Sequence, residues 1–169
     1  MERRAFSIEQ KGRTLTGYAA RFNSEASIGD FVEVIRPGAF ARPLAAPTAV
    51  NIRAIYEHDD KALLGRVGSG TLRLSEDDVG LRFELDLPDT SLGRDLAELV
   101  KRGDVAGCSF GFMAGKDTWL PGPLRELREV DLHEITLTAR PAYSSTSVSL
   151  RSLAFGRLNL ARRYLEAIA

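Results

Sequence analysis

The sequence predicts a mainly β fold with peripheral α-helices, arranged as a closed or strongly curved β-barrel surrounded by helices. Three observations carry this expectation. Short runs rich in β-branched and aromatic residues recur between turns containing Gly, Pro, Asn or Asp from Arg4 to Thr138. Leu81, Phe83, Leu85 and Leu87 alternate with Arg82, Glu84 and Asp86, the period-2 signature of a strand with one wet face. Only residues 91–102 and 152–168 change clearly to a helical period.

In chain order, RAFSIEQ and RTLTGYAARF flank Lys11-Gly12 and predict an opening hairpin, with Gly supplying a positive φ at the turn. Asn23 to Asp30 is polar and turn-rich, and FVEVI at 31–35 is a short strand stopped by Pro37-Gly38. The stretch GAFARPLAAP has room for a short helix at most before Pro47. VNIRAIY at 50–56 reads as a strand that runs into Glu57-His58-Asp59-Asp60. LLGRVGSGTLRL at 63–74 and LRFELDL at 81–87 flank the turn SEDDVG.

Helix 91–102 places Leu92, Leu96, Leu99 and Val100 on one stripe. Ser91 is its expected cap, Lys101 and Arg102 suit its negative C-terminal end, and Gly103 stops it. A strand around Ser109 follows, then an irregular KDTWLPGP segment, then a long β-type run from Leu124 to Thr138 ended by Pro141. Residues 152–168 predict a second helix from the spacing of Leu153, Leu160, Tyr164 and Ile168, made locally basic by Arg157, Arg162 and Arg163. We therefore expect a β-barrel domain over 1–150, including helix 91–102, and a C-terminal helix over 151–169 that packs on it or serves as a tail.

A chain of 169 residues suffices for one such domain and a sizeable core. Its 23 basic and 23 acidic residues leave no global field to attract nucleic acid. A single cysteine, Cys108, excludes an internal disulfide and a cysteine-based zinc cluster. The first ten residues lack the apolar core of a secretory signal, and no apolar run has the length of a membrane span. The expectation is a soluble protein used inside a cell or inside a particle assembled there, with no nucleic acid or membrane among its partners.

The chemistry centres on VAGCSFGFM, residues 105–113. Gly107, Ser109 and Gly111 match G-x-S-x-G, yet a nucleophile elbow requires a helix directly after the serine, and FMAGKDTWLPGP has no helical period. An esterase of the elbow type is therefore disfavoured, and Ser109 is read as a strand residue. Gly107 and Gly111 would let another backbone, such as a bound peptide, approach closely.

A serine hydroxyl needs a base to take its proton, and the chain has two histidines, His58 and His133. His58 lies at a strand end, where it could meet Ser109 across a sheet. A third group must hold the base, and His133 and Glu134, being adjacent on a strand, should face opposite ways. A carboxylate is the more usual partner of an imidazole, which favours Glu134 and leaves His133 as the alternative. Asp59 and Asp60 beside His58 raise a metal site, but no second histidine has ligand spacing and no HExxH occurs. Cys108 reads as a small buried apolar residue facing away from Ser109.

Five phrases in order, GYAARFN at 17–23, EVIRPGAF at 33–40, EHDDKALLGRV at 57–67, GRDLAELVKRGDVAGCSFGF at 93–112 and LREVDLHEITLTARPAYSSTSV at 127–148, make the chain resemble the HK97-type prohead proteases of tailed phages. That family is related in fold to the herpesvirus assembly proteases. The resemblance implies a serine endopeptidase without a cofactor, acting in the host cytoplasm within the immature capsid. Its substrate would be scaffold or the N-terminal scaffold-like segment of the major capsid protein, and portal and prohead shell would be co-assembly partners. Carried over by position, it implies His58 as base, Ser109 as nucleophile and Glu134 as the acid that holds His58. The herpesvirus relatives use a second histidine as third member, which keeps His133 as the alternative, and they also suggest a homodimer and backbone amides near Arg140 as oxyanion donors. The runner-up is a noncatalytic capsid-assembly protein that keeps a protease-like barrel for binding scaffold.

Overall fold

The computed structural model describes residues 9–11 and 13–140. The first strand of the opening hairpin before Glu9, its Gly12, and the C-terminal helix expected over 151–169 lie outside the described residues. The fold is mainly β. Its strands are β1 (Glu9–Lys11), β2 (Thr14–Arg21), β3 (Glu25–Ile28), β4 (Phe31–Ile35), β5 (Arg53–Tyr56), β6 (Asp59–Arg66), β7 (Leu72–Glu76), β8 (Gly80–Asp86), β9 (Gly107–Leu120) and β10 (Leu124–Thr138). Two α-helices, α1 (Ala41–Ala45) and α2 (Ser91–Arg102), and two short 3-10 turns, Pro47–Asn51 and Val67–Ser69, complete the order.

The ladders make a four-stranded sheet, β1-β2-β8-β7, and a six-stranded sheet, β3-β4-β10-β5-β6 with β9 on the other side of β10. Strand β10 is the spine. Along one side its first half runs parallel to β4 and its second half parallel to β5, while β9 runs antiparallel along the other side. Among the described residues these ladders form two sheets and do not join into one closed ring.

Leu15, Leu72, Phe83 and Leu85 from the first sheet share one core with Phe110, Leu132, Ile135 and Leu137 from the second, and α2 adds Leu96 and Val100. Burying each such side chain contributes roughly 1.5–3 kcal/mol. The Phe40 ring meets Phe110 edge to face at 5.4 Å between centroids, which ties the loop before α1 to β9.

Several elements fall where the sequence places them. FVEVI is β4, the alternating run is β8, and helix 91–102 has the expected bounds, with Leu96 and Val100 inward and Gly103 closing it at φ 81°. Its cap is Thr90 rather than Ser91, because the Thr90 hydroxyl accepts the Gly93 N–H at 3.2 Å.

Further expectations are corrected. The run 63–74 is split between β6 and β7 by the Val67–Ser69 turn, which Gly70 ends with a φ of 72°. The KDTWLPGP segment is irregular only from Pro121: β9 continues to Leu120. Its polar residues pair across the ladder, Lys116 with Glu129 at 2.9 Å and Asp117 with Arg125 at 2.8 Å, so cross-strand charge replaces the apolar alternation that the sequence lacks.

Candidate active site

Tyr56 and Asp59 pair across the β5–β6 ladder, which leaves Glu57 and His58 as a two-residue hairpin turn. Both have positive φ, 50° and 56°, the pattern of a type I′ turn. Asn and Gly favour such positions, whereas Glu and His pay roughly 1–2 kcal/mol each for the left-handed conformation. Four hydrogen bonds to β10 and the residue after it offset that strain. The His58 N–H donates to Thr136 Oγ1 at 3.0 Å and the Glu57 N–H to the Leu137 carbonyl at 3.0 Å. The Glu57 carboxylate accepts from Thr138 Oγ1 at 2.9 Å and from the Ala139 N–H at 2.8 Å.

Strand register brings the other groups to this turn. Thr136 pairs with Ser109 of β9 on one side and with Ile55 of β5 on the other, and Glu134 pairs with Gly111 and with Arg53. Paired residues share a face of the sheet, so Ser109, Thr136, Glu134 and Arg53 lie on one side. Cys108 and Phe110 point to the opposite side, into the core.

His58 Nδ1 lies 3.3 Å from Glu134 Oε1. The other carboxylate oxygen of Glu134 faces Arg53 at 3.9 Å, and the Arg53 guanidinium also holds Asp60 at 2.7 Å. The His58 side chain is 53% exposed and that of Glu134 16%. Ser109 is 3% exposed, and among the described residues no hydrogen bond joins its hydroxyl to His58. The structure thus brings His58 to Glu134, and ties the His58 backbone to the residue directly across the ladder from Ser109.

His133 is not beside His58. A register shift between Leu132 and Glu134 makes it the extra residue of a β-bulge, because Leu132 pairs with Phe112 and Glu134 with Gly111. The bulge resets the alternation along β10: Glu134 lies on the side of Asp131 and Thr136, while Leu132 shares the core side with Ile135 and Leu137. His133 is exposed and lines a cleft of about 330 Å³ with Arg42, Asn51, Met113 and Asp131.

Gly111 also serves differently from its expected role. A Cβ there would stand 2.7 Å from Glu134 Cγ and 3.0 Å from Cδ, so the space belongs to the Glu134 side chain rather than to an approaching peptide backbone. The amides near Arg140 are engaged: the Ala139 N–H donates to Glu57, and the Arg140 N–H to Thr138 Oγ1 at 3.0 Å. Burial pushes the Cys108 thiol up, so it stays protonated in the core. Asp59 bonds the Lys61 N–H at 2.9 Å, and among the described residues no three His, Cys, Asp or Glu side chains cluster as metal ligands do.

Sequence reasoning missed Glu57, Thr136 and Arg53. Each acts through a partner on another strand, and no local spacing announces that. The one available signal was a non-Gly pair at a two-residue turn, which marks strain that something must offset.

A mainly β scaffold that sets an imidazole against a carboxylate, beside a strand-borne hydroxyl, has the parts of a serine hydrolase. The chain belongs to the caudovirus prohead serine protease family, whose model matches residues 1–158. That family makes it a phage capsid-maturation serine protease. No match was found among curated proteins or among solved structures. Among the described residues no helix is long and apolar enough to cross a membrane.

Proposed function

We propose that this chain is a serine endopeptidase that cleaves scaffold, or the N-terminal scaffold-like segment of the major capsid protein, inside the immature capsid. His58 is the general base and acid, Ser109 the nucleophile, and Glu134 the group that orients the imidazole. The observation that carries the reading is the 3.3 Å approach of His58 Nδ1 to Glu134, on a turn whose backbone is bonded to the ladder partner of Ser109. A proton held on Nδ1 toward Glu134 leaves Nε2 as the acceptor.

In the reaction, Ser109 Oγ attacks the scissile carbonyl carbon while Nε2 takes the hydroxyl proton. The tetrahedral species collapses as the imidazolium returns that proton to the departing amine, which leaves an acyl-enzyme. Water then repeats the sequence, releasing the new carboxyl terminus and regenerating Ser109. The reaction requires the His58 ring to turn toward Ser109, and rotamer changes of a side chain this exposed are fast. No step needs a cofactor. The rate falls on the acid side, where a protonated imidazole accepts nothing.

Glu134 is preferred to His133 as third member because it is the group in contact with His58, while His133 faces a separate cleft. The reading keeps residues 1–150 as the protease domain and 151–169 as a C-terminal helix or tail, with shell and portal as assembly partners and a homodimer as the oligomer.

One observation favours a noncatalytic assembly module instead: the 3% exposure of Ser109. Covalent labelling separates the two. A fluorophosphonate that modifies Ser109 excludes a purely structural role, and coexpression with the capsid protein tests the activity. Loss of capsid-protein cleavage in Ser109→Ala is expected; cleavage at the parental rate would refute the assignment.

A further inference from the structure

We infer that Glu57 is a positioning residue for this protease: its carboxylate fastens the strained turn that carries His58 to the end of β10, and so sets where the imidazole stands. The inference rests on the serine-protease reading proposed above. It starts from a mismatch between sequence and backbone. Both residues of the turn adopt a left-handed conformation that neither Glu nor His favours. A turn free to choose would carry Asn and Gly, but a Gly at position 58 has no ring. Retaining a histidine there requires that something other than local preference hold the backbone.

Glu57 supplies that restraint from the neighbouring position. One carboxylate oxygen accepts from Thr138 Oγ1 at 2.9 Å and the other from the Ala139 N–H at 2.8 Å, and the Glu57 N–H meets the Leu137 carbonyl at 3.0 Å. The His58 N–H reaches Thr136 Oγ1 at 3.0 Å on the same strand. The turn is therefore stitched to consecutive residues 136–139, and Thr136 is the residue paired with Ser109. Glu134 lies two residues earlier on that strand, so base, orienting acid and nucleophile are all referred to β10. Both Glu57 oxygens are spent on this clamp, and neither is bonded to His58 among the described residues. Its influence on the imidazole passes through the backbone.

The test is made on the full chain with a fluorophosphonate probe, reading the rate of Ser109 modification per folded molecule. Glu57→Asn is the discriminating variant. Asn tolerates positive φ better than Glu, so the turn itself is kept, but it is one methylene shorter and has a single acceptor oxygen, so it cannot span Thr138 and Ala139. Labelling is expected to slow by about tenfold to a hundredfold, since a displacement near 1 Å at the reacting groups has that order of effect. The acid limb of the labelling rate should shift, and the Ala139 amide should exchange with solvent faster. Thr138→Val removes one of the two clamp bonds, together with the acceptor of the Arg140 N–H, without touching the turn, and should give a smaller loss of the same kind; it also reports if the Asn variant fails to fold.

Labelling of Glu57→Asn at the parental rate and with the parental pH profile overturns the inference, whatever its melting temperature. A parent that does not label, or a Ser109→Ala chain that labels as the parent does, instead refutes the protease reading, and the inference falls with it.

Discussion

His58 and Glu134 stand 76 residues apart in the chain and meet through Nδ1 and Oε1 at 3.3 Å. The contact exists because β5 and β10 run parallel with Glu134 beside Arg53, so that the turn after β5 returns over the Glu134 face. If this pair orients the base, Glu134→Gln should lower turnover on the capsid substrate by about 10²-fold or more while leaving the fold intact, because an amide cannot stabilise the cationic ring. His133→Ala should change it little. The opposite ranking in a cleavage assay would hand the third place to His133.

Gly111 gives an independent handle on the same carboxylate. Adding a methyl there forces Glu134 aside, since the new carbon would stand 2.7 Å from Cγ. Gly111→Ala should therefore cost about 1–3 kcal/mol of stability, the range for overpacking, together with most of the activity. Combining it with Glu134→Ala should recover the stability measured by denaturant unfolding but not the cleavage.

Cys108 is 1% exposed, and burial raises its thiol pKa. It should resist an aromatic disulfide reagent at pH 8 in the native protein and react at once in denaturant. Cys108→Ala should still be labelled at Ser109 by the fluorophosphonate. Loss of labelling in a folded Ala variant would mean that the nucleophile had been assigned to the wrong neighbour.

Arg73, through its hydrogen bonds, and Thr14 after it hold the Asp86 carboxyl down at about 2. A depressed carboxyl stabilises the fold above its ordinary range, and that contribution is lost as pH falls toward 2. The group is 46% exposed, so solvent screening limits the pair to roughly 0.2–1 kcal/mol. Asp86→Asn should then lower the melting temperature at pH 7 by up to about 4 °C, with the gap closing as the pH approaches 2. A gap that stays constant across this range would show that the pairing is not its cause.

The elements that could be read directly are those whose cause is local. The alternation of Leu81, Phe83, Leu85 and Leu87 with charged residues appears as β8, and the stripe through Leu96 and Val100 appears as α2. Residues 116–120 resisted the same method because their partners, Glu129 and Arg125, lie across a hairpin. His133 and Glu134 resisted it for a different reason: strict alternation assigns them opposite faces, and a bulge changes that count.

The residue types needed for acyl transfer, the phrases that carry the family resemblance, and the periods of β8 and α2 were already written in the order of the amino acids. That order left open whether Glu134 or His133 meets His58, what occupies the space over Gly111, and what holds a histidine in a left-handed turn. Those answers come from the register of β10 against β5 and β9, and register is chosen by how entire strands bury their faces, not by the few residues at the site.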